Sequence, residues 1–160
     1  YEANLFDVED MGTPATYTGV ERENTWCLGS QWWAKELTEE QSKEYIYGIL
    51  LDMVGAPDAV FPKEMNSTRY AGNYVEQIWR QANKLGHGKY FAEQAAYPIV
   101  DDPYYVSLYG GVPCVDIIHY DARSNNGFPS WWHTRQDDMQ NICPATLQAV
   151  GEVVLTSILN

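Results

Sequence analysis

Three apolar segments of the chain have the pattern of buried strands. Apolar residues run almost without interruption through residues 45–54 and 112–118, and a shorter run covers residues 5–8. Runs of this kind are typical of strands that are buried on both faces of a parallel sheet. We therefore expect these three segments to be strands of one sheet.

Between the strands and after the last of them, apolar positions recur at helical spacing. The longest stripe covers residues 71–85, and Gly86 is a natural stop behind it. A second stripe covers residues 147–158, with Pro144 at its first turn. Both stripes predict amphipathic helices that pack on the sheet.

Weaker signals predict two further helices and two loops. We expect a short helix over residues 31–37 and another that opens at Asp102-Pro103, with Asp102 as its N-cap. Glycine and proline predict loops over residues 55–69 and 125–133.

The alternation of strands and helices predicts one α/β domain over residues 1–160, with a mixed, largely parallel sheet and helices on both faces. Apolar residues make up 45% of the chain, which is enough for a core and excludes a disordered protein. The formal net charge of −12 argues against binding to nucleic acid and to anionic membranes. No apolar run reaches the roughly 18 residues of a membrane-spanning helix. The three cysteines, Cys27, Cys114 and Cys143, match no zinc-finger spacing.

Four polar stretches lie where predicted strands and helices begin or end. They are Glu9-Asp10 behind the first strand, Asp52 behind the second, Asp101-Asp102 before a helix, and the loop segment Trp131-Trp132-His133 with Asp137-Asp138 after it. Adjacent acids can divide metal binding and proton transfer between them, and histidine is a common zinc ligand. Each stretch alone also fits a structural role, as a solvated turn, a loop anchor, a helix cap or a structural histidine.

Taken together and in this order, the four stretches resemble the zinc-dependent glutaminyl cyclases, relatives of the zinc aminopeptidases in the metallopeptidase M28 superfamily. FDVED resembles that family's Phe-Asp-x-Glu-Glu, and LLDMVGAPDAVFP resembles its Leu-Asp-hydrophobic-hydrophobic-Gly-Ala-Pro-Asn-x-x-Phe-Pro segment. VDDPYYVSLYGGVPCVDII resembles its Asp-Asp-His-x-x-Phe stretch with the Gly-Val-Pro and strand that follow, and FPSWWHTRQDD resembles its Phe-Pro-x-x-Trp-His-Thr-x-x-Asp. The resemblance runs from about residue 5 to the C-terminus, and the loop with Gly-Ala-Pro and Phe-Pro is its most specific part.

The function that the resemblance implies is glutaminyl-peptide cyclotransferase activity. Such an enzyme converts an N-terminal glutamine to pyroglutamate and releases ammonia. Glu9 would be the catalytic acid and base, and Asp102 would belong to a hydrogen-bonded acidic network near the developing oxyanion. Asp116 falls where animal members of the family carry a histidine.

The resemblance also implies a substrate pocket and a metal site. Asp52 would bind the α-amino group of the substrate, Trp132 would form a wall of the pocket, and Trp26 is a candidate for a second wall. Asp10 and His133 would be two protein ligands of a single zinc ion. Zinc in such sites normally has three protein ligands.

The family's remaining zinc ligand is an aspartate well before the FDVED strand. The resemblance therefore implies that the 160 residues are the C-terminal part of one catalytic domain, with a sheet that is incomplete on its N-terminal side. We expect this chain alone to bind zinc poorly, to be inactive, and to associate through an exposed sheet edge.

Two alternatives to the cyclase stay open. One is a zinc aminopeptidase of the same superfamily, in which Asp52 would bind a second zinc ion, and the other is a non-catalytic remnant. The expected partners are peptides with an N-terminal glutamine, without nucleic acid or membrane. The resemblance also implies an extracytoplasmic location, periplasmic or secreted.

Overall fold

The fold is described for residues 25–159 of a computed structural model of the chain. The helices and strands, in chain order, are α1 (Leu28–Glu36), α2 (Glu39–Ser42), β1 (Gly48–Asp52), β2 (Phe61–Glu64), α3 (Met65–Lys84), β3 (Phe91–Ala96), α4 (Asp102–Gly110), β4 (Cys114–Ile118), a 3-10 turn (Met139–Asn141) and α5 (Pro144–Leu159). The strand predicted over residues 5–8 and the candidates Glu9 and Asp10 lie outside the described residues.

The strands form two parallel pairs. β1 pairs with β4, with Leu50 opposite Asp116, so the second and third apolar segments share a sheet as predicted. β2 pairs with β3, also in parallel. A parallel pairing needs a crossover between its strands, and helices α3 and α4 lie between β1 and β4 in the chain.

Helices cover both faces of β4, which is buried along its whole length. Val115 and Ile117 face the main core, which also contains side chains of α3 and α5. Cys114 lies on the opposite face, and its backbone N–H donates to Ser107 Oγ of α4. The predicted α/β fold with helices on both faces is therefore confirmed.

The two amphipathic stripes are helices as predicted. Within α3 the buried apolar side chains recur every three or four residues, at Ala71, Val75, Ile78, Trp79 and Ala82. α5 begins at Pro144. Proline lacks an N–H, but the N–H groups of a helix's first turn have no partner within the helix, so no hydrogen bond is lost. In the part of the chain that the structure describes, no helix is both long enough and apolar enough to cross a bilayer.

The prediction for residues 45–54 is wrong in its extent and burial. The strand covers only Gly48–Asp52, and it is half-buried, with Leu51 44% exposed. Leu50 and Leu51 line an open cleft, so this strand borders a cavity and is not enclosed by core on both faces.

The loop predicted over residues 55–69 is wrong in its second half. β2 occupies Phe61–Glu64, and α3 follows it directly. Pro62 has no N–H for the ladder, and the register between β2 and β3 shifts at this point, between Phe61 and Lys63. A proline can therefore interrupt the ladder here without ending the strand.

Glu64 joins β2, α3 and the segment that precedes α4. Its carboxylate is buried and accepts three backbone N–H groups, from Asn66 at 2.8 Å, Ser67 at 2.6 Å and Ile99 at 2.8 Å. The first two bonds cap α3, and the third fixes residues 97–101, which form one wall of the cleft. A buried carboxylate with this set of donors holds local structure in place.

We expect Glu64→Ala to lower the free energy of unfolding by about 3 kcal/mol or more, because it removes a helix cap and leaves buried N–H donors unpaired. Urea unfolding of the variant and the parent measures this difference. Glu76→Ala is the matched control on α3, because Glu76 is 56% exposed and its ion pair with Lys63 lies at the surface. The control should lose less than about 1 kcal/mol, and equal losses in the two variants would contradict the role of Glu64.

Candidate active site

A cleft of about 780 Å³ opens at the carboxyl ends of β1 and β4. Ligand sites in α/β sheets commonly lie at this end of the strands. The described site residues that the sequence predicts all line this cleft: Trp26, Asp52, Asp102, Trp132 and His133. The structure therefore brings together residues that are up to 107 positions apart in the chain.

Asp52 is the last residue of β1 and projects into the cleft. Burial raises the pKa of its carboxyl, and the nearby charges of Asp102 and Asp137 raise it further. A hydrogen bond from the backbone of Met53 lowers this pKa and offsets part of the rise. Its carbonyl oxygen accepts a hydrogen bond from the backbone N–H of His119, which follows β4. Asp52 is thus a partly desolvated acid, held in place by its strand, that would gain from a cationic partner.

His119 supports this end of the sheet. It is buried, and its Nδ1 accepts a hydrogen bond of 2.9 Å from the backbone N–H of Val60. Burial lowers the pKa of its ring, so the neutral form with the proton on Nε2 fits the site. The loop before β2 and the end of β4 are therefore tied together behind Asp52.

The prediction that Asp102 caps α4 is wrong, because Asp101 is the N-cap. Asp101 has an extended backbone, and its carboxylate accepts the N–H of Asp102 at 2.7 Å. Asp102 is the first helical residue, and its carboxylate accepts a hydrogen bond from Ser30 Oγ of α1. With the cap supplied by its neighbour, the Asp102 side chain is available to line the cleft.

Asp101 lines the cleft, although the sequence predicted a role only for its neighbour Asp102. Burial raises the pKa of its carboxyl to about 7, and the charges of Asp52 and Asp102 contribute in the same direction. A carboxyl group that titrates near neutrality is suited to exchange protons at working pH. The Asp101-Asp102 doublet was the available signal, but the sequence does not tell which of two adjacent aspartates caps the helix.

The raised pKa of Asp101 predicts a pH dependence of stability. The folded state binds this proton more tightly than the unfolded chain, so the stabilisation is full below about pH 3.8 and is lost as the pH rises through about 7. Asp101→Asn keeps a side-chain oxygen for the cap and cannot titrate. We expect the variant to be more stable than the parent at pH 8, by on the order of 1–4 kcal/mol, and the difference to vanish near pH 4.

Thermal unfolding of the whole protein between pH 4 and pH 8 measures this effect. Asp116 also has a raised pKa, to which the charge of Asp101 contributes, and Asp52 in turn raises the pKa of Asp101. The difference between parent and variant therefore reports on the proton of Asp101 together with its coupling to these two acids. Stability curves that run parallel over this range would contradict the assignment.

Cys27 forms a hydrogen-bonded group with the aspartate doublet. Its Sγ and carboxylate oxygens of Asp101 and Asp102 all lie within 4.8 Å of one another. The thiol donates a hydrogen bond to Asp101 Oδ1 at 3.8 Å. Burial raises the pKa of the thiol, and the charges of Asp102 and Asp101 add to this. In this group the thiol of Cys27 holds the carboxylate of Asp101 in position by a hydrogen bond.

Asp116 lies on β4 behind the aspartates of the cleft. It is 2% exposed, and its Oδ1 has no hydrogen-bond partner among the described residues. Burial raises the pKa of this carboxyl well above its ordinary value, and nearby Asp101, Asp52, Glu64 and Asp102 raise it further. These surroundings favour the neutral acid at this position.

Aromatic rings form the opposite wall of the cleft. Trp132 stacks on Phe128, with ring centroids 4.4 Å apart, and on the imidazole of His133, at 3.9 Å. All three side chains line the cleft, and Trp26 lines it as well. Stacking fixes the plane of the imidazole and presents flat apolar surfaces to a ligand.

Backbone strain is concentrated around the cleft. Among residues 25–159, the non-glycine residues with positive φ are Cys27 at 53°, Met53 at 51° and His133 at 55°. Met53 and His133 line the cleft, and Cys27 bonds to its wall. Left-handed backbone is uncommon for such residues and clusters at functional sites.

The described residues fit a zinc site in their donor chemistry. His133 places an imidazole in the wall of a cleft that four aspartates also line, and imidazole with carboxylate is a ligand set that zinc accepts. The second predicted ligand, Asp10, lies outside the described residues. His133 lines the cleft, and its role as a zinc ligand stays a prediction.

Comparison with known families agrees with this arrangement. The profile of Peptidase family M28 matches residues 16–158. The glutaminyl-peptide cyclotransferase of Bothrops jararaca is 29% identical over 119 residues, which are 69% of this chain and 30% of that protein.

Two solved structures share the fold and much of the sequence. The glutaminyl cyclase of Tannerella forsythia is 46% identical with a TM-score of 0.82, over 92% of this chain and 49% of that one. A Zn-dependent exopeptidase from Parabacteroides distasonis is 46% identical with a TM-score of 0.83, over 91% of this chain and 48% of that one. The chain therefore spans about half the length of these structures. The predicted similarity to glutaminyl cyclases is confirmed.

Proposed function

Because the chain belongs to Peptidase family M28, we propose that the whole protein is a glutaminyl-peptide cyclotransferase, which closes an N-terminal glutamine to pyroglutamate and releases ammonia. The observation that carries this proposal is the meeting of Asp52, Asp102, His133 and two tryptophans in one cleft. The similarity to glutaminyl cyclases supports it further.

Substrate binding falls to Asp52 and the aromatic wall. Asp52 is a desolvated carboxylate beside other acids, and a substrate α-amine would provide the cationic partner that it lacks. Trp132 and Trp26 would hold the glutamine side chain between apolar surfaces. Fixing both ends of the glutamine brings the amine close to its own γ-amide, and such proximity is worth a large part of a reaction barrier.

The reaction that follows is an intramolecular acyl transfer. The α-amine nitrogen forms a bond to the γ-carbonyl carbon, and the bond from that carbon to the amide nitrogen breaks. Glu9 takes the proton that the amine loses and delivers it to the departing ammonia. Asp101 and Asp102, which are joined to Cys27 and Ser30 by hydrogen bonds, would form the acidic network beside the reacting groups.

His133 and Asp10 would hold the zinc ion in the whole protein. Zinc in this position supplies Lewis-acid activation of a carbonyl group. The stacking of His133 on Trp132 fixes the imidazole plane, so one segment would carry both a zinc ligand and a wall of the substrate pocket. Because these two residues are adjacent, the arrangement supports one site that binds both zinc and substrate.

An exopeptidase activity is the second candidate, because one similar structure is described as a Zn-dependent exopeptidase. In that reading Asp52 would bind a second zinc ion in place of the substrate amine. The metal content of the zinc-saturated whole protein separates the two proposals. We expect one zinc ion per molecule, and two would favour the exopeptidase.

Two further expectations stay proposals. The isolated chain should bind zinc poorly, lack activity and associate through an exposed sheet edge, as expected from the resemblance. An extracytoplasmic location stays a prediction from the resemblance.

A further inference from the structure

Negative charge dominates the described wall of the cleft. Asp52, Asp101, Asp102 and Asp137 line it, and no lysine or arginine is found among the lining residues that the structure describes. Asp137 differs from the other three because it is exposed, while the others are partly buried. It therefore offers a solvated carboxylate at the outer part of the same site.

Hydrogen bonds hold Asp137 in a defined position next to the aromatic wall. Thr134 Oγ1 donates to the carbonyl of Trp131 at 2.7 Å and accepts the N–H of Gln136 at 3.1 Å. The N–H of Asp137 donates to the carbonyl of Thr134 at 3.1 Å. The turn that carries Trp132 and His133 therefore also fixes Asp137.

Asp137 is close enough to Asp52 for its charge to raise the pKa of that carboxyl. The residue that follows an N-terminal glutamine has its Cα only about 3.8 Å from that of the glutamine. If Asp52 holds the glutamine amine, the next residue enters the same cleft that Asp137 lines, within reach of a long cationic side chain.

We propose that Asp137 determines specificity for the residue after the glutamine, favouring peptides in which this residue is lysine or arginine. The inference rests on the proposed cyclase function and adds the substrate class to it. An exposed ion pair of this kind has a modest effect, so the preference is one of rate and not an absolute requirement.

The test compares three peptides with the whole protein: Gln-Lys-Ala, Gln-norleucine-Ala and Gln-Glu-Ala. Norleucine matches the aliphatic stem of lysine without its charge, so the ratio of kcat/KM between the first two peptides isolates the effect of charge. We expect that ratio to exceed one in the parent and to decrease as ionic strength rises. Gln-Glu-Ala should be the slowest of the three.

Asp137→Asn should reduce the ratio of lysine to norleucine peptide by about 2- to 5-fold. Asp138→Asn is the matched control, because Asp138 is the adjacent exposed acid, lies outside the cleft lining, and caps the 3-10 turn through an oxygen that asparagine retains. It should leave the ratio unchanged. A ratio that Asp137→Asn leaves unchanged, or that both variants reduce equally, overturns the assignment of Asp137. Failure of the proposed function is a different result, namely no cyclisation of any of the three peptides.

Discussion

In the whole protein, Glu9→Gln is expected to lower kcat for cyclisation by about 10²- to 10⁴-fold, because it removes the proposed carrier of the proton from the amine to the leaving ammonia. Glutamine keeps the size of the side chain and some of its hydrogen bonds but cannot accept the proton. The measurement is ammonia release from a glutaminyl peptide under saturating substrate.

The zinc content of the Glu9→Gln variant distinguishes a proton carrier from a metal ligand. It should equal that of the parent, because the predicted ligand in this segment is Asp10. Activity within a fewfold of the parent would show that another residue is the base. Loss of zinc together with activity would show that Glu9 is a ligand.

Asp52→Asn is expected to reduce kcat/KM for glutaminyl peptides by about 10- to 100-fold, because it replaces a charged partner of the substrate amine by a neutral one. Most of the change should appear in KM if the contact is equally strong in the ground state and the transition state. Asp58→Asn is the control, since Asp58 is an exposed acid on the following loop that does not line the cleft. The role of Asp52 in amine binding would be refuted by equal kinetics in the two variants.

The parts of the fold that the sequence predicts are those whose apolar pattern is continuous. β4, α3 and α5 carry long runs or clear stripes, and each is found where it is expected. β2 and β3 escape this reasoning because polar residues interrupt them. In β2, Lys63 is covered by ion pairs with Glu76 and Glu93, and Glu64 is buried as a helix cap. Both charged residues are therefore less exposed than their residue types suggest.

The candidate site was predictable as a set, but not in its detail. Asp52 and His133 follow from their positions after a strand and in an aromatic loop, and parallel pairing of β1 with β4 brings strand ends together. The cap at Asp101, its contact with Cys27 and the burial of Asp116 depend on how α1 and α4 pack, and no local pattern encodes that packing.

The most direct test of the proposed function is product analysis with the zinc-loaded whole protein and the peptide Gln-Ala-Ala. Mass spectrometry, with ammonia measured in parallel, distinguishes the possible reactions. The cyclase proposal predicts one product that retains all three residues and is lighter by one ammonia, with ammonia formed in equal amount. Free glutamine with the peptide Ala-Ala would instead identify an exopeptidase, and would contradict the assignment of this cleft to glutamine cyclisation.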